Sequence, residues 1–274
     1  MGGHLASMAD ASVFLVLFWR FVLAALLLAP FVWVASRSIE PADRSAWRVA
    51  LRRQAGIGVL AMGGYVALVI WAIDLGVPAS TTALVTALQP LLTAALAGPL
   101  LDERLDRWGW IGLCVGFAGV ALAVQGSLGS APWWAYGLPF GSVLCVVIAS
   151  VAAKGEQETG PVSLPVAIAV QCAATAVFML VPAAFAGPLA PPAEPMFWGA
   201  VAWFTALATI GAYAFYWLCL RRTSATRVAS LMYLVPPVTA VWAWAMFGEA
   251  ITLGLVAGFA MCVLGVRVAG RARA

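Results

Sequence analysis

Charge is scarce in this chain. Charged residues fill 9% of its 274 positions, against about a quarter in an ordinary soluble domain. Hydrophobic residues fill 64%, more than one globule can hide from water, so the solvent this chain expects is lipid. Histidine is almost missing. His4 stands alone near one end, and a histidine-based metal site or a Ser-His-Asp arrangement has nothing to build on. The five cysteines, Cys114, Cys145, Cys172, Cys219 and Cys262, are odd in number and scattered through apolar runs. They fit small buried apolar residues rather than a disulfide or metal framework. The net charge is +4, but no stretch has the basic, aromatic-interleaved character of a nucleic-acid face. No catalytic residue, cofactor, metal or nucleic-acid partner is therefore expected. An integral-membrane enzyme would need clustered acids, histidines or metal ligands at a membrane face, and only scattered acids occur.

What is present is long apolar runs. A helix needs about 20 apolar residues to cross the hydrocarbon core. Nine candidate spans follow, at roughly 12–36, 55–75, 79–101, 107–126, 135–153, 163–187, 198–219, 226–247 and 252–269. The expected fold class is all-α, a polytopic membrane protein in the lipid bilayer. The longest connection, 37–54, reads RSIEPADRSAWRVALRRQ and leaves room for a short surface helix. Every basic residue except Arg20 falls in alternate connections: Arg37 to Arg53, Arg104 and Arg107, Lys154, Arg221 to Arg227, and Arg267 to Arg273. Basic residues stay on the cytoplasmic side. The C-terminus is thus expected in the cytoplasm, residues 1–11 outside, and the protein in the cell (inner) membrane.

The chain also repeats. At one common offset of 146 residues, Pro90 meets Pro236, Glu103 meets Glu249, and Trp71 meets Trp217. Ala79, Ala83, Leu88, Thr93, Ala94, Ala97, Gly112, Gly119 and Val120 also meet identical residues. The copies lie five spans apart, and an odd number of spans inverts the second relative to the first. Inverted repeats are a recurrent architecture of secondary transporters, with substrate held near the midplane. Residues 1–126 form the first repeat and 135–269 the second. Span 12–36 aligns with 163–187, placing Arg20 near Gln171. Span 135–153 then lacks a partner before residue 1, so the repeat predicts ten spans where nine are present. The expectation is a chain truncated before its first helix, with a native nine-span form as the alternative.

Three pieces carry a family resemblance: FWRFVLAALLLAP at 18–30, LVTALQPLLTAALAGPLLDERLDRWGWIGLCVGFAGVALA at 84–123, and VASLMYLVPPVTAVWAWAMFGEAITLGLVAGFAMCVLGV at 228–266. The chain resembles the EamA-type members of the drug/metabolite transporter superfamily over nearly its whole length. That resemblance implies ten spans in two inverted five-span halves, cytoplasmic termini, and movement of small metabolites, often outward. It also implies that the helix missing here would help line the central cavity.

The polar residues inside the spans are the candidate site. Thr82, Thr86, Gln89 and Thr93 fall on one face of span 79–101. Unpaired polar groups do not face hydrocarbon, so this stripe faces other helices or a water-filled cavity. Pro90 frees a backbone carbonyl one turn back, and Pro236 and Pro237 do the same in the copy. Paired breaks in equivalent helices point to a transporter site; a static kink is the plainer reading. Thr205, Thr209, Tyr213 and Tyr216, with Trp217 beside them, form a second stripe. Tyr65 and Trp71 occupy the equivalent helix of the first half, and Tyr233 the copy of the Pro90 helix. Tyr and Trp would suit an aromatic or amphipathic metabolite, such as an amino acid, or a cation; ordinary packing also explains them. Trp33, Trp108, Trp110, Trp133, Trp134 and Trp198 sit at span ends like an aromatic belt. Arg20, well inside a span, fits either a substrate carboxylate or a clasp to a neighbouring helix.

Glu103 and Glu249 lie at span ends, as solvated ends or loop clasps. No carboxylate lies at mid-depth, where proton coupling would place one. Gly112 with Gly116, and Gly254 with Gly258, form GxxxG pairs that read as scaffold or an oligomer contact; the oligomeric state stays open, a monomer being sufficient. The leading function is a secondary transporter exporting small metabolites by alternating access, with a channel as the alternative. The topology makes a direct prediction. A cysteine placed at Leu128 should react with an impermeant thiol reagent on intact cells, and one at Glu40 only after permeabilisation; the reverse pattern would invert the assignment.

Overall fold

The computed structural model describes residues 12–103, 105–123, 131–157, 162–235, 238 and 253–271. These residues are mostly helical, joined by short turns and loops, with no strand among them. Twelve α-helical segments follow in order: α1 Val13–Arg37, α2 Arg44–Gly58, α3 Tyr65–Asp74, α4 Ala79–Thr86, α5 Gln89–Leu101, α6 Arg107–Ala123, α7 Gly137–Gln157, α8 Leu164–Ala186, α9 Pro195–Trp203, α10 Ala214–Arg222, α11 Ala225–Leu231 and α12 Leu253–Arg271. Six helical stretches among the described residues are long and apolar enough to cross a membrane: Val13–Arg37, Pro41–Asp74, Thr81–Leu101, Trp133–Gly155, Leu164–Ala186 and Pro195–Arg222. Two more apolar helices, Arg107–Leu122 and Val256–Ala269, are shorter. Of the expected span 226–247, α11 supplies the start, and most of the rest, with Pro236, Pro237 and Glu249, lies outside the described residues.

Local chemistry explains the ends. The Ser12 hydroxyl caps α1 by accepting from the Leu15 N–H at 3.1 Å. Gly76 takes a left-handed φ of 91° after α3, and the Val77 N–H then reaches back to the Ala72 carbonyl at 2.9 Å, a left-handed C-terminal cap. One expectation needs revision. The segment 37–54 does not hold a separate surface helix. Its second half belongs to a continuous 34-residue helix, Pro41–Asp74. The arginines made it read as a loop, but from Arg44 onward nothing stops a helix, since arginine propagates one well.

The continuous helices are interrupted in matched places. Val59–Gly64, between α2 and α3, is a widened π turn, and so is Phe204–Tyr213, between α9 and α10. At the repeat offset the first maps inside the second. Similarly α4 starts at Ala79 and α11 at Ala225, which are equivalent positions. α4 ends at Thr86, followed by a turn at Ala87 and Leu88 before α5 begins. α11 ends at Leu231 and gives way to a 3-10 turn at Met232–Leu234. Span 79–101, expected as one helix, is therefore two.

The described residues divide into two compact units, Met1–Gly63 with Glu156–Arg221, and Gly64–Gly155 with Arg222–Ala274. Each draws on both sequence halves. In the first unit α1 and α2 pack on α8, and α9 packs on α1. Leu15 and Val16 meet Phe197, Ala200 and Val201 there in a fully apolar cluster. Gly58 sits so close to α8 that a Cβ on it would fall 2.5 Å from the Gln171 Cα.

The second unit is built on a seam between α6 and α12. A Cβ on Gly265 would lie 2.5 Å from the Gly116 nitrogen, and one on Gly119 would lie 2.7 Å from the Gly258 carbonyl oxygen. A Cβ on Gly112 would lie 2.6 Å from the Gly265 oxygen. Rising numbers on α6 meet falling numbers on α12, so the two helices cross antiparallel. Under the repeat offset Gly112 becomes Gly258 and Gly119 becomes Gly265, and the two contacts exchange. The Cys262 thiol donates to the Gly116 carbonyl at 3.6 Å, and these two positions are each other's equivalents. That is the pattern a two-fold relation between inverted repeats leaves behind. The seam differs from the expected pairing in one respect: Gly265, with Gly258, does the work assigned to Gly254. Small residues let backbones approach this closely, and van der Waals contact then holds the helices together in lipid.

Glu103 is a clasp. Its carboxylate accepts from the Ala225 N–H at 2.9 Å, the Thr226 N–H at 3.2 Å and the Thr226 hydroxyl at 3.2 Å. It thus satisfies two of the orphan donors at the start of α11, where a negative charge also complements the helix dipole. Two outcomes are expected in thermal denaturation of the purified protein. Gly265→Val should unfold it or lower its midpoint sharply, whereas Gly98→Ala, with nothing within 4 Å of the added methyl, should leave it unchanged or slightly raised. Glu103→Ala should cost about 0.5–2 kcal/mol, the range for losing a helix cap.

Candidate functional site

The candidate residues fall into two sets, one in each unit. The first unit holds Arg20, Tyr213, Tyr216 and Trp217; the second holds Tyr65, Trp71, Thr86, Gln89, Pro90 and Tyr233. Pro236 is outside the described residues.

Arg20 lies on α1 and is 5% exposed. A charged arginine at mid-span costs about 2.5–3.5 kcal/mol on insertion scales, so its surroundings matter. Its guanidinium lies 4.4 Å from the Phe21 ring centroid and 5.6 Å from that of Phe204. Ring faces recover part of the cost, about 0.5–2 kcal/mol. Nε has no hydrogen-bond partner, and Arg20 makes no ion pair among the described residues. Tyr213 and Cys172 are near enough to interact with it electrostatically. The clasp expected of Arg20 is made by its backbone instead: the Thr205 hydroxyl donates to the Arg20 carbonyl at 3.1 Å.

Around it other polar groups are buried. Gln171, its nearest repeat counterpart, donates from Nε2 to Gln54 Oε1 at 2.8 Å, while Gln171 Oε1 has no partner. The hydroxyls of Thr175 and Thr209 and the indole N–H of Trp217 are buried and unpartnered. Tyr213 donates to the Ala61 carbonyl at 3.3 Å, a carbonyl within the first π turn, where widened turns displace the regular ladder. Tyr216 packs edge-on against Trp217 with centroids 5.0 Å apart.

In the second unit Pro90 is buried and opens the second turn-run of its span as the second residue of α5. It has no N–H, so the Thr86 carbonyl loses its usual donor. The Thr86 hydroxyl is used locally, donating to the Ala83 carbonyl at 2.9 Å. Gln89, half-buried as the first residue of α5, has no side-chain partner among the described residues. Thr82 and Thr93 are buried with unpartnered hydroxyls, as is Tyr233, whose ring packs where a Cβ on Gly116 would stand. Tyr65 rests on the apolar cluster of Val143, Val146 and Val147. Trp71 is 59% exposed, although its repeat counterpart Trp217 is 2% exposed. The belt tryptophans Trp33, Trp108, Trp110, Trp133, Trp134 and Trp198 are all exposed, and Arg37 lies 3.7 Å over the Trp33 ring.

Sequence reasoning missed Gln54, which the arginines around it made look like loop, and Thr175, a single hydroxyl in an apolar run. The Gln54–Gln171 pair joins positions 117 residues apart and leaves no local signal. A surface cleft of about 750 Å³ opens by Ala35, Glu40, Asp43, Trp47, Ser163 and Val166. It lies at helix ends and contains none of the candidate residues. No group of three or more metal-ligating side chains occurs among the described residues.

The arrangement offers buried donors and acceptors at interruptions of apolar helices. Comparison with known proteins agrees with the fold. The EamA-like transporter family matches residues 4–125 and 133–271. A solved structure titled "Crystal structure of protein" is 23% identical, with 99% of this chain and 93% of that one covered at a TM-score of 0.77; at that identity it speaks for the fold alone. No curated protein matches. The chain belongs to the EamA-like transporter family and is a multi-pass membrane transporter of small molecules.

Proposed function

We propose that this protein is a secondary transporter that exports small metabolites across the cell's inner membrane by alternating access, with its C-terminus in the cytoplasm. The observation that carries the reading is the pairing of interruptions. α4 and α11 start at equivalent positions and lose regular helix within a residue of each other, and the π turns Val59–Gly64 and Phe204–Tyr213 also correspond. A break in one helix is a kink. Matched breaks in inverted repeats are how a transporter presents backbone and side-chain groups to a substrate from both halves. The polar residues gather at these breaks, and the surrounding Tyr and Trp suit a substrate with an apolar or aromatic body, amino acids among them.

In this reading Gln89, Thr86 and the carbonyl beside Pro90 contact substrate with Tyr65, Trp71 and Tyr233 in one set. Arg20, Tyr213, Tyr216 and Trp217 do so in the other, and Pro236 is the counterpart of Pro90. Gln89→Leu tests it in proteoliposomes against a panel of radiolabelled metabolites. Folding should hold, because leucine suits lipid-like surroundings. Apparent affinity should fall several-fold to about tenfold, the worth of one neutral hydrogen bond of about 0.5–1.5 kcal/mol. Pro90→Ala should let the helix run through and change turnover more than affinity. A Gln89→Leu protein with unchanged apparent affinity would make the glutamine interhelical glue and remove it from the site.

A further inference from the structure

Several buried polar atoms of the first unit lack partners. Arg20 Nε, the Thr175 and Thr209 hydroxyls and Trp217 Nε1 are all buried without partners, and all of them can donate. Among the described residues of that unit Gln171 Oε1 is a further buried, unpartnered and neutral acceptor, and the threonine hydroxyls can accept as well as donate. Arg20, Thr209, Gln171 and Thr175 belong to one neighbourhood. Arg20 touches the Phe204 ring and accepts through its carbonyl from Thr205. It interacts electrostatically with Tyr213 on the same helix, which puts Thr209, midway between Thr205 and Tyr213, beside it. It also interacts with Cys172, which adjoins Gln171 and lies three residues before Thr175 on α8. Among the described residues the permanent positive charge of Arg20 stands beside spare hydroxyl donors and has no carboxylate partner.

Resting on the transporter reading above, we propose that this cluster binds the carboxylate of a small, soluble, net-anionic organic acid with an apolar body. Arg20 supplies the counter-charge, and the Thr209 and Thr175 hydroxyls supply further O–H donors. Guanidinium presents its N–H groups in a planar fork matched to a carboxylate. The Phe21 and Phe204 ring centroids lie 4.4 Å and 5.6 Å from its Cζ. The substrate's body rests against the Phe204 ring and Tyr213. The acidic side chains described in this unit, Glu40, Asp43 and Glu194, stand beside or outside the ends of α1, α2 and α9. None is placed to receive an ammonium group at Arg20's depth, so the cluster selects an organic anion over a zwitterionic amino acid. With every member 5% exposed or less except Tyr213 and Phe204, ligand entry requires the helices to part.

The test uses the full chain purified in detergent. Thermal stabilisation is titrated with benzoate and 3-phenylpropionate, with benzamide and phenylalanine as neutral and zwitterionic isosteres, and with laurate as a lipid-like acid. Benzoate or phenylpropionate should stabilise the protein saturably, and benzamide and phenylalanine should not. Arg20→Gln should weaken the effect about ten- to hundredfold, the range for a charge-assisted bond, and Arg20→Lys should restore part of it. Thr209→Val, which leaves the charge in place, should weaken it several-fold, and it serves if Arg20→Gln fails to fold. Equal stabilisation by benzamide, an unchanged affinity in Arg20→Gln or in Thr209→Val, or a response to laurate alone overturns the proposal. Transport in proteoliposomes separates the two readings. Saturable movement of phenylalanine without the anions overturns the anion site and leaves the transporter. Arg20-dependent binding of the anions with no movement of any probe keeps the site and overturns the transporter.

Discussion

A backbone that crosses hydrocarbon must satisfy its own hydrogen bonds, because lipid offers none. Every departure from a regular helix inside a span therefore needs protein or enclosed water around it. Among the described residues the chain departs at the π turns Val59–Gly64 and Phe204–Tyr213, the turn at Ala87 and Leu88, and the 3-10 turn at Met232–Leu234. Thr205, Thr209 and Tyr213 lie within one of these; Thr82, Thr93 and Tyr233 lie within two turns of others. Buried hydroxyls with spare hydrogen-bonding capacity cost stability in an apolar interior. Their concentration at interruptions that recur between the halves is what the proposed substrate site requires, since random damage to helices would not repeat in register.

The rest of the molecule supplies the rigidity those regions give up. The α6–α12 seam brings equivalent glycines of the two halves together, and its antiparallel crossing is what inverted repeats require. The Glu103 carboxylate ties the end of α5 to the start of α11, so the two copies of the broken helix are linked through one capped terminus. In the first unit, Gly58 against Gln171 and the Gln54–Gln171 bond fix α2 on α8.

The apolar runs, the all-helical class, the repeat and the family resemblance were legible in the sequence because each rests on a periodic or composite signal. The break near Pro90 was legible too. Its location was not: the proline is accommodated as the second residue of a new helix, and the chain turns just before it, at Ala87 and Leu88. The π turns left no trace, because shifting the hydrogen-bond ladder by one residue changes neither hydropathy nor charge. Arginines hid the start of the second long helix and with it Gln54. Trp71 and Trp217 match in the repeat yet differ in burial, since a shared residue type does not carry a shared environment when the two halves pack differently around it.

Whether the paired interruptions serve a carrier is decided most directly by trans-stimulation. Proteoliposomes holding the full chain are preloaded with unlabelled benzoate or phenylalanine, and the entry of the same labelled compound is timed. A carrier that exposes one site alternately to each face takes up the label faster when substrate waits on the far side, and its rate saturates. A flux that stays linear in concentration and indifferent to preloading would mean an open path through the membrane, and would contradict the account.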